Sequence, residues 1–367
     1  MTGPVDLQAG AARRSPYADL LDMVRANPDD DEARQIYADA LLEAGDPQGE
    51  FIAIQFKLAR GQASEGDVIR LRELYRDHEA GWLGDLALVL VGRVYRAGFL
   101  ERAALGSMPA GDEARAIWTS AASDAQLGTV RVLEPAGLGI SPNVPGVANA
   151  EAYRRFALSP AMNHLREVAI LSQGMLDEIC NRTRAWSFSC LVFHCPLDVE
   201  MLGRILSTKA LPHLREIAVR VRPELVPKLT EMLGRWSGRV RLDALSLLLW
   251  TEIGAGIDYG PFTRWLSSAT SLAPVPRLGL WLPLSRVYAR AAGGGQRGLE
   301  VEVRDDLLLA DVLGRLSGFD ELVVRPPPRE ACCNLDSPWH FAAALRQLKA
   351  ARVELPKSWA ATMARGY

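Results

Sequence analysis

His164-Leu-Arg-Glu-Val-Ala-Ile170 reads HLREVAI, and 49 residues later the chain returns to almost the same phrase as HLREIAV, His213 to Val219. Read as a strand, alternate side chains of the phrase point to opposite faces. Leu165, Val168 and Ile170 then match a pattern of L-x-x-L-x-L type. The pattern recurs around Val130, Val168, Leu191, Ile217, Leu245, Leu278, Leu299, Leu322 and Val353, at intervals of 21 to 38 residues that average about 28. Segments with helical spacing lie between several of these positions, at 175–186, 198–208, 223–236, 305–318 and 337–349.

A strand and a helix repeated at that period predict an α/β fold. The expected form is an irregular leucine-rich-repeat solenoid over residues 106–367, with a curved parallel sheet, outer helices and a C-terminal cap near KSWAATMA (357–364). An ordinary parallel α/β domain also alternates strand and helix. It gives no reason for L-x-x-L-x-L to return.

The N-terminal part reads differently. Residues 1–15 are expected to be disordered or loosely ordered, and 16–80 carry four helical patterns. Ser15-Pro16 starts the first and Asn27-Pro28 separates it from the second, whose Ala33, Ile36, Tyr37, Ala40, Leu41 and Ala44 form one stripe. Gly45-Asp46-Pro47 stops that helix; Phe51, Ile54 and Leu58 mark the third, and Val68, Leu71, Tyr75 and His78 the fourth.

The stretch NPDDDEARQIYADALLEAGDPQGEFIAIQFKLA (27–59), with HEAGWL (78–83) and GFLERAAL (98–105), resembles the repeat-companion domain of myxobacterial and planctomycete proteins that also carry leucine-rich-like repeats. The resemblance rests on Arg34, Tyr37, Asp39, Gly45, Asp46, Pro47, Gly49, Glu50, Phe51 and Gln55, and departs at Ala40, where that family commonly has tryptophan. It implies a helical companion unit over 16–105 and a bacterial host, with no catalytic role to carry over. An all-α unit there would cap the first turn of the solenoid and close its core edge.

Composition narrows the function classes. A chain of 367 residues with 49% hydrophobic and 23% charged content is that of a folded protein. Its longest apolar run, Leu86 to Val91, is far short of the roughly 20 residues that cross a bilayer. The first 20 residues lack the apolar core of a secretory signal, so a cytoplasmic location without membrane attachment is expected. Five cysteines, an odd number, favour reduced thiols over a disulfide framework. Residues 1–105 carry 12 Lys/Arg against 18 Asp/Glu and the rest 30 against 26, neither of which is the basic excess that nucleic acid requires.

Several tempting sites have simpler readings. Asp29-Asp30-Asp31-Glu32 places acids at a helix start, where they cap free N–H groups. Cys190, His194 and Cys195 cannot share one metal along an extended strand, where four residues span about 13 Å. The adjacent pair Cys332-Cys333 and the glycine-rich stretches 254–260 and 293–295 read as loops. His164 and His213 occupy equivalent positions ahead of their strands and read as repeat features. No catalytic residue, cofactor or metal is expected.

The intervening positions of L-x-x-L-x-L would line the concave face, where solenoids bind partners. Arg220, Leu248, Trp250, Arg277, Trp281, Glu300, Glu302 and Arg325 are the candidate partner-binding residues, since Trp and Arg dominate interface energetics. The expected function is a non-enzymatic cytoplasmic scaffold that recognises a protein or peptide. Two alternatives are an enzyme or enzyme subunit with its site near Arg34, Tyr37 and Asp39 at the junction of the two units, and a regulatory or defence sensor acting with a separate effector. Nothing in the sequence sets an oligomeric state.

Overall fold

A computed structural model describes residues 17–106, 112–135, 147–195, 199–220, 242–248, 265–266, 277–281, 286–291, 297–302, 321–325 and 352–354. The chain begins with helices α1 (Ala18–Ala26), α2 (Asp31–Glu43), α3 (Pro47–Ala59) and α4 (Glu65–Leu83). Their ends follow from local chemistry. The Asp30 carboxylate caps α2 by accepting from the Glu32 and Ala33 amides at 3.0 and 3.1 Å. Helix α2 ends because Gly45 takes a left-handed conformation (φ 72°), so that the Gly45 and Asp46 amides return to the carbonyls of Leu42 and Leu41. Asp46 then caps α3 with Pro47 in its first turn, and Ser64 and Asp67 form a reciprocal capping box on α4.

After a short helix, α5 (Leu86–Val89), the chain forms a hairpin of β1 (Leu90–Arg96) and β2 (Phe99–Leu105). The all-α expectation for 16–105 therefore fails over residues 90–105. The reason lies in the turn. Ala97 and Gly98 both have positive φ, 44° and 83°, which is what a two-residue hairpin loop demands, yet Ala-Gly is a weaker signal than Asn-Gly. A side chain at 98 would also meet the Ile52 Cγ1 at 1.9 Å, and the Gly98 amide donates to Gln55 Oε1 at 2.5 Å.

Residues that carry the family resemblance have definite tasks here. Arg34, buried in full, donates to the Arg96 carbonyl at 2.9 Å and lies over the Phe99 ring. Tyr37 packs on the same ring. Phe51 meets Tyr75, Trp82 and Tyr95 in an aromatic cluster that ties α3 and α4 to the hairpin. Glu50 pairs with Arg70, while Asp39 stands exposed.

The hairpin opens a twelve-stranded sheet whose strands lie in sequence order. The others are β3 (Val132–Glu134), β4 (Glu167–Ile170), β5 (Cys190–Phe193), β6 (Glu216–Arg220), β7 (Ala244–Leu248), β8 (Arg277–Trp281), β9 (Arg286–Ala291), β10 (Arg297–Glu302), β11 (Glu321–Arg325) and β12 (Arg352–Glu354). Pairing is parallel except for β1–β2, β8–β9 and β9–β10. The sheet is mostly parallel and open, with β1 and β12 at its edges. Helices α6 (Asp112–Ala121), α7 (Val147–Ala157), α8 (Gln173–Asn181) and α9 (Val199–Ser207) make the crossovers that parallel strands require.

Two differences from the sequence pattern stand out. Strand β3 begins at Val132, where the repeat was expected to centre on Val130, because 125–129 close into a 3₁₀ turn capped by Asp124. Strand β9 lies where no repeat was expected. Its alternating RVYARA (286–291) inserts an antiparallel strand between Leu278 and Leu299 and restores the original direction at β10. The segments 1–16, 223–236, 305–318, 337–349 and 357–364 lie outside the described residues.

Packing explains the repeated phrase. Leu165, Val168 and Ile170 are fully buried, as are Ile217 and Val219, and Leu214 nearly so. They join Met175, Leu176 and Ile179 of α8 and Met201, Leu202 and Ile205 of α9 in one apolar core between sheet and helices. Full burial of each such side chain contributes about 1.5–3 kcal/mol. Where β3 is too short to continue its ladder, Tyr153 of α7 substitutes for a rung. Its hydroxyl donates to the Leu133 carbonyl at 2.7 Å and accepts from the Ala169 amide at 2.8 Å.

Candidate binding face

Backbone register sorts the face of the sheet opposite that core into three rows. Arg220, Leu248, Trp281, Arg286, Glu302 and Arg325 are successive cross-strand neighbours from β6 to β11 and make one row at the strand ends. Five of the eight candidate residues thus fall on one line, although the strand between Trp281 and Glu302 stands outside the repeat pattern. Arg277 belongs to the row at the strand starts, beside Ala244 and Arg290, and Glu300 to the middle row, beside Tyr288 and Val323. Trp250 lies outside the described residues.

The middle row departs from the expectation of an open wall. Ala169, Val192, Ala218, Ser246, Tyr288, Glu300 and Val323 are all under a tenth exposed. Glu300 is therefore corrected from a contact residue to a buried one, at 8% exposure. Part of the reason is compositional. Parallel strands sit about 4.8 Å apart, so Ala218 and Ser246 are recessed between larger neighbours. Cys190, Val192, Ala218, Ala244 and Tyr288 form a second apolar cluster on this face.

Tyr288 completes the closure. It faces Gly279 across the ladder, and its ring occupies the space a side chain there would need: a Cβ at 279 would meet the ring at 2.9 Å and Ser246 Oγ at 2.2 Å. The Tyr288 hydroxyl donates to Glu216 Oε1 at 3.2 Å, and Ser246 Oγ donates to the same oxygen at 2.5 Å. The Arg277 guanidinium lies 5.1 Å from the centre of the Tyr288 ring, within cation–π range. A hydroxyl beside a carboxylate has the ingredients of nucleophilic catalysis. Here Ser246 is fully buried, and its bond to Glu216 ties β7 to β6. Tyr288 was missed in the sequence because its strand was, and the alternation of Arg286, Tyr288 and Arg290 with Val287, Ala289 and Ala291 was the available signal.

A second polar group lies at the strand starts. Asp30 and the acids after it behave as helix-start residues, whereas Asp29 does something else. It crosses to the sheet and pairs with Arg131 at 2.9 Å, with Arg166, and with Arg96 at 3.8 Å. Burial works against ionisation of Asp29, but the guanidiniums of Arg131, Arg166 and Arg96 outweigh it and hold its pKa below the usual carboxylate value. Burial, followed by the charge of Arg131, lowers the pKa of His164.

At the junction of the helices and the sheet, a cavity of about 130 Å³ is lined by Tyr37, Gln48, Tyr95 and Gln126 among others. It is smaller than the roughly 300 Å³ of ordinary small-molecule pockets. Of Arg34, Tyr37 and Asp39, only Tyr37 lines it. Cys190 is buried, and burial raises the pKa of the half-buried Cys180 and Cys195 thiols. Among the described residues no group of three or more His, Cys, Asp or Glu is placed to hold a metal, and no helix is long and apolar enough to cross a membrane. No family model, no curated protein and no solved structure matches the chain.

Proposed function

We propose that this chain is a non-enzymatic recognition scaffold, built as a degenerate leucine-rich solenoid behind an N-terminal helical cap of repeat-companion type. It binds a protein or peptide along the strand-end row of the sheet face. The observation that supports this reading is the register that sets Arg220, Leu248, Trp281, Arg286, Glu302 and Arg325 side by side on six adjacent strands. The row spans about 24 Å at 4.8 Å per strand, which suits an extended segment of a partner. It mixes an aromatic, arginines and an acid, a composition rich in the residue types that anchor interfaces. The buried middle row would serve as its stiff backing. The strands in sequence order and the buried L-x-x-L-x-L positions are what favour the solenoid assignment.

The test uses the full chain as bait in lysate of the native host, beside a variant carrying Arg220→Ala, Trp281→Ala and Arg325→Ala. The reading expects a protein retained by wild type and lost by the variant, with matching circular dichroism and melting temperature. Retention by both would remove the row from the interaction.

A further inference from the structure

At the strand-start edge, Asp29, Arg131, His164, Arg166, Ser189 and His213 surround a hollow of about 390 Å³. The volume is in the range of small-ligand sites, at roughly 300–1,000 Å³, but this lining carries no large apolar side chain. We propose that the hollow is a binding site for an oxyanion, the phosphate or carboxylate group of a ligand. It lies at the opposite end of the strands from the row invoked above and does not depend on it.

Charge and preorganisation carry the proposal. Two guanidiniums in the lining face one carboxylate, and Glu101, which also acts on Arg131, is itself paired with Arg96 at 3.5 Å, so the lining keeps a positive surplus. Arg131 is almost fully buried and is fixed by its own bond to the His164 carbonyl at 3.0 Å, so its position costs a ligand no ordering entropy. Arg166 is half-exposed and uses one terminal nitrogen on Asp29, which leaves other donors of its five-donor fork for a second oxyanion. The protein itself displays the chemistry, because Asp29 arrives from a turn 137 residues away from Arg166 and is held there by its carboxylate.

The neutral groups of the rim fit the same ligand. Ser187 commits its hydroxyl proton to the Asn163 and Leu165 carbonyls at 2.9 and 2.7 Å, whereas Ser189 makes only a long contact of 3.4 Å to the Arg166 carbonyl and can turn to a ligand. His213 stands exposed at the far side. The sequence origin is the repeated phrase itself. Its first position supplies His164, Ser187 and His213, and its third supplies Arg131, Arg166 and Ser189, so successive turns stack polar groups along one edge.

The test is isothermal titration of the full chain with inorganic phosphate and, separately, with succinate, at low ionic strength. Wild type is expected to bind at least one probe, and the tighter of the two identifies the source of the oxyanion. Arg166→Gln should weaken that probe about tenfold or more, the loss of one charge-assisted contact. Asp29→Asn, which removes the internal competitor, should tighten it severalfold. Arg155→Gln, an exposed arginine on α7 away from the hollow, should leave it unchanged. Absence of binding to both probes, or equal affinity in wild type and Arg166→Gln, would overturn the proposal, and that comparison decides even if Asp29→Asn fails to fold.

Discussion

Replacing Tyr153 with Phe removes one oxygen and nothing else from a ring that is 1% exposed. That oxygen serves two backbone groups, the Leu133 carbonyl at 2.7 Å and the Ala169 amide at 2.8 Å, at the point where the β3–β4 ladder stops after two registered pairs. Burial raises the phenol pKa, so the hydroxyl stays a donor throughout the ordinary pH range. Each orphaned buried group costs about 1–3 kcal/mol. Loss of the hydroxyl also relieves its own desolvation, worth about 1 kcal/mol on protein scales. The net destabilisation is then about 3 kcal/mol, well above the typical effect of a single substitution of about 1 kcal/mol. Urea unfolding of both forms, fitted with a common slope, measures it directly. Hydrogen exchange should show the Ala169 amide losing protection in Tyr153→Phe. A difference below about 0.5 kcal/mol, with Ala169 protection unchanged, would refute the idea that the hydroxyl replaces a rung.

Three further outcomes are expected. Gly279→Ala should displace the Tyr288 ring and break its bond to Glu216, at the cost of about 1–3 kcal/mol typical of overpacking, read from the denaturation midpoint and the near-ultraviolet tyrosine signal. Gly98→Ala should destabilise the β1–β2 hairpin through both its left-handed backbone and its contact with Ile52, lowering the melting temperature, whereas Gly61→Ala has open space around it and should act through backbone strain alone. For His164, the folded state holds the pKa below the unfolded value of 6.5, so the unfolded chain binds the proton more readily. Stability should fall as pH drops from above 6.5 through that lower folded value, and His164→Gln should flatten the dependence in a pH series of melting curves.

The legible part of the fold was the part that repeats. Leucines spaced for one face of a strand announce themselves in sequence because each must be buried, and Val168, Leu191, Ile217, Leu245, Leu278, Leu299, Leu322 and Val353 all lie within strands. Strand β9 escaped because it breaks the period, and β1 because its turn uses Ala97-Gly98, whose positive φ angles are a weak sequence signal at the alanine. The site was legible only as a set of positions. Alternation sorts residues into rows, but exposure depends on neighbours from three strands away, so a middle row closed by Tyr288 over Gly279 could not be read from spacing. Asp29 was hidden among four acids of which three serve helix α2, and its partners Arg131 and Arg166 lie more than 100 residues further on.

The scaffold reading is tested most directly by site-specific photo-crosslinking in the native host. A benzophenone amino acid would be placed at Trp281 in the strand-end row and, in a parallel strain, at exposed Glu178 on helix α8. The account predicts a discrete protein adduct from position 281 and none of that mass from position 178. No adduct from 281, or the same adduct from both positions, would contradict it.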